Sequence, residues 1–194
     1  MALPSRKSGF SLIELLIAML IAVSLYAVAV GPTRAYMEKQ KLQRCAENLR
    51  RLHLTLSLYA NEHDGAYPQV AGARNSDDAF ALLGPQYSTD TSIFVCPATG
   101  KPASTGGHVD YAYVMGLRKD AGSEAMLLSD AQVDTGPKRH GTNVFSDSGN
   151  GPGSNHGKAG GNLLFADGHV ETVGSGVPRD LPVSPETQLL NPAP

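Results

Sequence analysis

Residues 10–30 read FSLIELLIAMLIAVSLYAVAV, and the meaning given to this stretch decides the rest of the chain. Glu14 is its only charged side chain, and the other polar groups are Ser11, Ser24 and the hydroxyl of Tyr26. As a helix rising ~1.5 Å per residue, the run just spans a hydrocarbon core of roughly 30 Å. An ordinary secretory signal is the competing reading, because Arg6 and Lys7 precede the run and Ala27-Val28-Ala29 has the form of a cleavage site. The run, however, is longer than the roughly 7–15 apolar residues of such a signal. Glu14 would also cost ~2–3 kcal/mol on insertion, with nothing to offset it. A cut between Gly9 and Phe10 changes the balance, since Phe10 then carries an α-amino group at a membrane depth similar to that of Glu14. Amine and carboxylate, on one helix or on neighbouring helices, neutralise each other where the dielectric is low. A carboxylate inside a membrane calls for a named partner, and here that partner is the Phe10 amine.

Lys7-Ser8-Gly9 followed by Phe10-Ser11-Leu12-Ile13-Glu14-Leu15-Leu16 resembles the prepilin leader of type IV pilins and type II secretion pseudopilins. The resemblance implies that a prepilin peptidase cuts after Gly9 and N-methylates Phe10. It implies that Glu14 pairs with the amino terminus of an adjacent subunit during filament assembly. The implied partners are the peptidase, other pseudopilin subunits in a homo- or hetero-filament, and an inner-membrane secretion or assembly platform. The implied location is the bacterial inner membrane, single-pass, with a cytoplasmic leader and an exported, periplasmic head. Charge alone points the other way, because Arg34, Lys39, Lys41, Arg44 and Arg50 closely follow the span. A net charge of -2 gives no basic footprint for nucleic acid.

Beyond Gly31-Pro32 a helical period continues through Leu42, Cys45, Leu49, Leu52, Leu56 and Tyr59. Arg44, Glu47, Arg50 and Arg51 fall off this stripe. Asp64-Gly65 with Pro68 just after is a stop signal, so residues 10–63 read as one long helix, bent near Pro32. The stripe is expected to pack under the chain's own sheet. Tyr111–Met115 and Ala125–Leu128 read as short strands, and residues 162–173 as a hairpin turning at Asp167-Gly168. A two-residue type I′ turn there would set Phe165 opposite Val170 and Leu163 opposite Thr172, with that apolar face on the helix. From Gly174 on, recurrent prolines argue for a tail without a strand or helix. The expected fold is α+β and pilin-like, with a long N-terminal helix against a small antiparallel sheet. Its segments are a leader (1–9), a transmembrane and assembly helix (10–31), an exported helix half (32–64), a head (65–173) and a Pro-rich tail (174–194).

YANEHDGAYP, FVCPATG and NHGKAGGNLLFADGHVETV resemble a pseudopilin-like group of planctomycete and verrucomicrobial bacteria, in which a histidine precedes a terminal Asp-Gly. Here His156 takes that place before Asp167. Cys45 and Cys96 fit either a disulfide, worth ~2–4 kcal/mol in an oxidising compartment, or two separate buried thiols. Without a C-x-x-C pair, two cysteines do not by themselves make a zinc site. Asp147, Asn150, His156, Asp167 and His169 share one Gly-rich region, and oxygens from Asp147, Asn150 and Asp167 are candidate calcium ligands. Asp167 is already accounted for by its turn, and no D-x-[DN]-x-[DN]-G loop is present. No other cofactor is implied. His63 and His156 are expected to bond nearby backbone. No G-x-S-x-G, H-E-x-x-H or phosphate loop occurs, so no enzyme is expected. The reading is a structural pseudopilin-like subunit; the alternative is a monomeric, membrane-anchored exported binding module.

Overall fold

The computed structural model describes residues 11–102, 107–131, 154–176 and 186–193. The chain divides into two compact units, Met1–Met37 and Glu38–Pro194, so the helix residues from Glu38 on belong with the sheet. Helix α1 runs Leu12–Glu62 and continues through Pro32 as one element. Its end follows from local chemistry. The Gly65 N–H donates to Ala60 O at 2.8 Å, and Asp64 takes the left-handed conformation (φ 52°) that such a cap requires. His63 closes the last turn with Nδ1 at 2.8 Å from Tyr59 O, its ring stacked on Tyr59, as expected of a backbone-bonding histidine.

From Cys45 to Tyr59 the apolar stripe is buried as its spacing predicts, with Leu42 half-buried at its start. Cys45, Leu49, Leu52 and Leu56 have no exposure, and Tyr59 joins them in the main core. Each fully buried leucine contributes ~1.5–3 kcal/mol relative to exposure. Arg44, Glu47, Arg50 and Arg51 stay on the surface. A short helix α2, Ser76–Phe80, is capped by Asn75, whose side chain accepts from the Asp78 N–H.

Five antiparallel strands form the sheet: β1 (Tyr111–Met115), β2 (Met126–Asp130), β3 (Gly161–Phe165), β4 (Val170–Val173) and β5 (Gln188–Leu190). Their order is β4-β3-β2-β1-β5. The two faces alternate along β1. Tyr111 and Tyr113 join Leu128, Leu164 and Leu190 in the core containing the α1 stripe, while Ala112 and Val114 belong to a second cluster with Leu163, Phe165 and Leu189.

Two expectations need correction. The β3–β4 hairpin pairs Leu164 with Val170 and Leu163 with Glu171, one residue away from the expected register. Its connection has three residues, Ala166-Asp167-Gly168. Phe165 O accepts from the Gly168 N–H at 2.9 Å, and only Gly168 is left-handed (φ 91°), the bulged form of a three-residue hairpin. A one-residue slip exchanges the faces. Leu164 and Val170 therefore meet the helix-side core, and Leu163 and Phe165 turn away from it. The second correction concerns 174–194, where β5 pairs with β1 and buries Leu189 and Leu190. Three residues suffice because an edge strand satisfies its ladder on one side only.

Gly168 remains a constrained position in the corrected turn. A Cβ there would lie 2.9 Å from Cε1 of His53, whose Nε2 sits 3.0 Å from Ala166 O and ties the turn to α1. Gly168→Val should destabilise the chain by ~2–3 kcal/mol, lowering Tm by roughly 5–10 °C. An unchanged thermal melt of the full chain in detergent would refute this turn geometry.

Candidate functional site

The N-terminal part of α1 offers the first candidate. Leu12–Ala29 has mean hydropathy 2.5, is long and apolar enough to cross a membrane, and has none of its window buried. Leu12, Ile13, Leu15, Leu16, Ile17, Met19 and Leu20 are each more than half exposed, so the apolar surface surrounds the helix. Glu14 lies in its first turn. Gly9 and Phe10 fall outside the described residues.

The second candidate is in the head. Cys45 and Cys96, 51 positions apart, bring their Sγ atoms to 3.0 Å, and both are free thiols. Two further side chains converge on them. Cys45 Sγ is 2.9 Å from Oδ1 of Asp130, and Cys96 Sγ is 3.4 Å from Nε2 of His156. Nε2 of His156 is in turn 3.5 Å from Oδ2 of Asp130. All four ligand atoms lie within 4.8 Å of one another, and all four residues are buried.

Each arrives from a different element for a local reason. Cys45 occupies a core position of the α1 stripe. Cys96 follows a helical turn, Thr91–Phe94, whose cap Asp90 accepts from the Ser92 N–H. The Cys96 N–H donates to Oδ2 of buried Asp110 at 3.0 Å, fixing the loop. Asp130 is the last residue of β2. His156 sits in the Ser154–Ala159 turns, which kink at Gly157 (φ 53°). Its neighbour Asn155 donates to Asp110 O at 2.7 Å, tying these turns to the Cys96 loop.

A ring of outer contacts orients the cluster. Asn162 donates to Oδ2 of Asp130 from its backbone N–H at 2.7 Å and from Nδ2 at 3.0 Å. The Tyr111 hydroxyl lies 3.3 Å from Cys45 Sγ. Nδ1 of His156 has no hydrogen-bond partner among the described residues. The thiols are driven apart in acidity. Burial pushes Cys45 up, reinforced by Cys96 and Asp130. The Cys45 contact draws Cys96 down to about 7, against burial and with help from His156. Burial alone would lower His156, but Asp130 and Cys96 carry it to about 10. A reactive thiolate would also need access, and neither Cys96 nor the His156 side chain has any exposure.

Of the remaining sequence candidates, none of the described ones joins this cluster. Asp147 and Asn150 lie outside the described residues. Asp167 is committed to the hairpin, where its Oδ1 accepts from the His169 N–H at 3.0 Å and meets that ring's Nδ1 at 2.6 Å. His169 stacks on Phe165. His156 does not bond nearby backbone as expected, because the fold carries its ring to Cys96 Sγ and the Asp130 carboxylate. Asp130 was not singled out from sequence. Its one signal is a carboxylate two residues after the apolar run Met126-Leu127-Leu128.

Residues 4–25 match the prokaryotic N-terminal methylation motif, and no curated protein or solved structure matches the chain. With the exposed apolar helix, that match gives the chain a prepilin-type processing signal and the N-terminus of a pilin-type precursor.

Proposed function

We propose that this chain is a structural, non-enzymatic pseudopilin-like subunit of a type II secretion or type IV pilus-like filament. Prepilin peptidase cleaves it after Gly9 and methylates Phe10. The apolar part of α1 then holds it in the inner membrane with the head exported, and Glu14 pairs with the amino terminus of a neighbouring subunit. The observation that carries this reading is one carboxylate in the first turn of a helix exposed and apolar all round, inside the matched motif. Such a surface suits lipid before assembly and other subunits afterwards. The His156…Asp167-Gly168 segment supports placing the chain in the pseudopilin-like group with a C-terminal Asp-Gly hairpin.

A monomeric anchor for a binding module needs neither cleavage after Gly9 nor Glu14. The mature N-terminus therefore separates the two readings. Mass spectrometry of the chain from its native membrane should show a protein starting at Phe10 and carrying one added methyl group. A start at Val30 would mean ordinary signal cleavage and would end the pilin reading.

A further inference from the structure

We propose that Cys45, Cys96, Asp130 and His156 hold one zinc ion as a closed, structural site in the head. The geometry suits that ion. Zn–S bonds of ~2.3 Å and Zn–N or Zn–O bonds of ~2.0–2.1 Å form a tetrahedron with edges of roughly 3.3–3.8 Å. The Cys96–His156 and His156–Asp130 edges, 3.4 and 3.5 Å, already have that size. Cys45 Sγ lies closer to Cys96 Sγ, at 3.0 Å, and to the other Asp130 oxygen, Oδ1, at 2.9 Å, so an entering ion would push that sulfur outward and take one of the two carboxylate oxygens.

Donor chemistry selects the metal. Two thiolates with one imidazole and one carboxylate favour a thiophilic cation over calcium, and a tetrahedral set of this kind suits zinc. Charge supplies the second argument. Asp130 and His156 are ionisable side chains without exposure, and each buried charge costs several kcal/mol unless it is compensated. A divalent cation, with His156 neutral as its ligand, would offset two of the three negative charges on the carboxylate and both thiolates, and the Asn162 donors would ease the third. The third argument is the outer ring. A metal-binding carboxylate is itself hydrogen-bonded, and Asn162 supplies two donors to Asp130 while Tyr111 and Asp110 position the two cysteines. A Cys45–Cys96 disulfide would use only the sulfurs and leave His156 with Asp130 as its one polar partner in the cluster.

Four protein ligands leave no open position, so the ion would act on stability rather than in catalysis. It would join α1, the Cys96 loop, the end of β2 and the turn before β3, and its binding free energy would become folding free energy.

The full chain, purified reduced in detergent, tests this. Elemental analysis should find one zinc per chain, and both thiols should react once the ion is stripped under denaturing conditions. Cobalt substitution should give thiolate charge-transfer absorption and the strong visible bands of a tetrahedral site. Chelator should lower Tm by roughly 5–10 °C, with zinc but not calcium restoring it. Cys96→Ser should weaken the charge-transfer band, because only the Cys45 thiolate is left to produce it. Where that variant does not fold, Asp130→Asn, which keeps the side-chain shape, should weaken zinc binding by more than the ~10–100-fold that losing an outer partner of a ligand costs. A reduced wild-type chain that takes up no zinc, or whose Tm ignores both chelator and zinc, would overturn the proposal. So would unchanged zinc content and affinity in Cys96→Ser and Asp130→Asn, which would mark the metal as adventitious.

Discussion

Gly160→Ala should cost the head ~4 kcal/mol or more and lower its Tm by roughly 8–16 °C, or prevent the chain from accumulating. Gly160 has φ 89°, where an L side chain is strained, at roughly 1–2 kcal/mol. The larger cost is steric. An added Cβ would lie 2.0 Å from Val173 O and 2.8 Å from both C and Cα of Gly174. These are backbone atoms, so no rotamer change relieves the overlap. Relief requires opening the β3–β4 ladder where Gly161 pairs with Val173. Asn162, whose two donors hold Asp130, follows one residue later, so the damage would also reach the cysteine cluster. Gly122→Ala is the control, since its added Cβ meets nothing within 4 Å. Equal melting temperatures for Gly160→Ala, Gly122→Ala and wild type would show that the approach to Val173 is wrong.

Much of this fold could be read from local patterns, and the misses have physical causes. The stripe from Leu42 to Tyr59 was legible because a helix one-sidedly buried by a sheet must repeat its apolar residues at helical spacing. Strand β1 was legible at its observed bounds, as an aromatic and β-branched run between Asp110 and Gly116. The hairpin was legible as a hairpin, but not in register. Asp-Gly fits both a two-residue turn and a three-residue turn ending in a left-handed glycine, and the choice depends on which face packs on α1. Strand β5 was hidden by its prolines. Its three residues hold their place through pairing with β1, a long-range contact that composition does not record.

The cluster was illegible for a sharper reason. Metal ligands close in sequence announce themselves by spacing, but Cys45 and Cys96 are 51 positions apart and Cys96 and His156 are 60 apart. Only the sheet order, which sets β2 between β1 and β3, brings the end of β2 beside both the helix and the turn before β3. Each cysteine alone reads as a small buried hydrophobe, and Asp130 alone reads as a strand end. Their chemistry belongs to the tertiary structure.

Glu14→Gln should leave membrane insertion intact or improve it, and abolish or cripple recruitment into filaments. The first half follows from transfer energetics, because removing a carboxylate from the span lowers the insertion cost by up to ~3 kcal/mol. The second follows from pairing. An incoming Phe10 ammonium entering a low-dielectric bundle needs a counter-charge, and Glu14 is the only acidic side chain between Leu12 and Ala29. Glutamine keeps the length and a hydrogen-bond acceptor but supplies no charge, so the ammonium would be left to bear its own desolvation. A simple lipid anchor predicts a different pair of outcomes, better insertion with no loss of function. Cross-linking between subunits in membranes, wild type against Glu14→Gln at equal protein level, reads the difference directly. Equal cross-linking with function intact would mean that the carboxylate only reaches toward the interface, and the filament reading would lose its central residue.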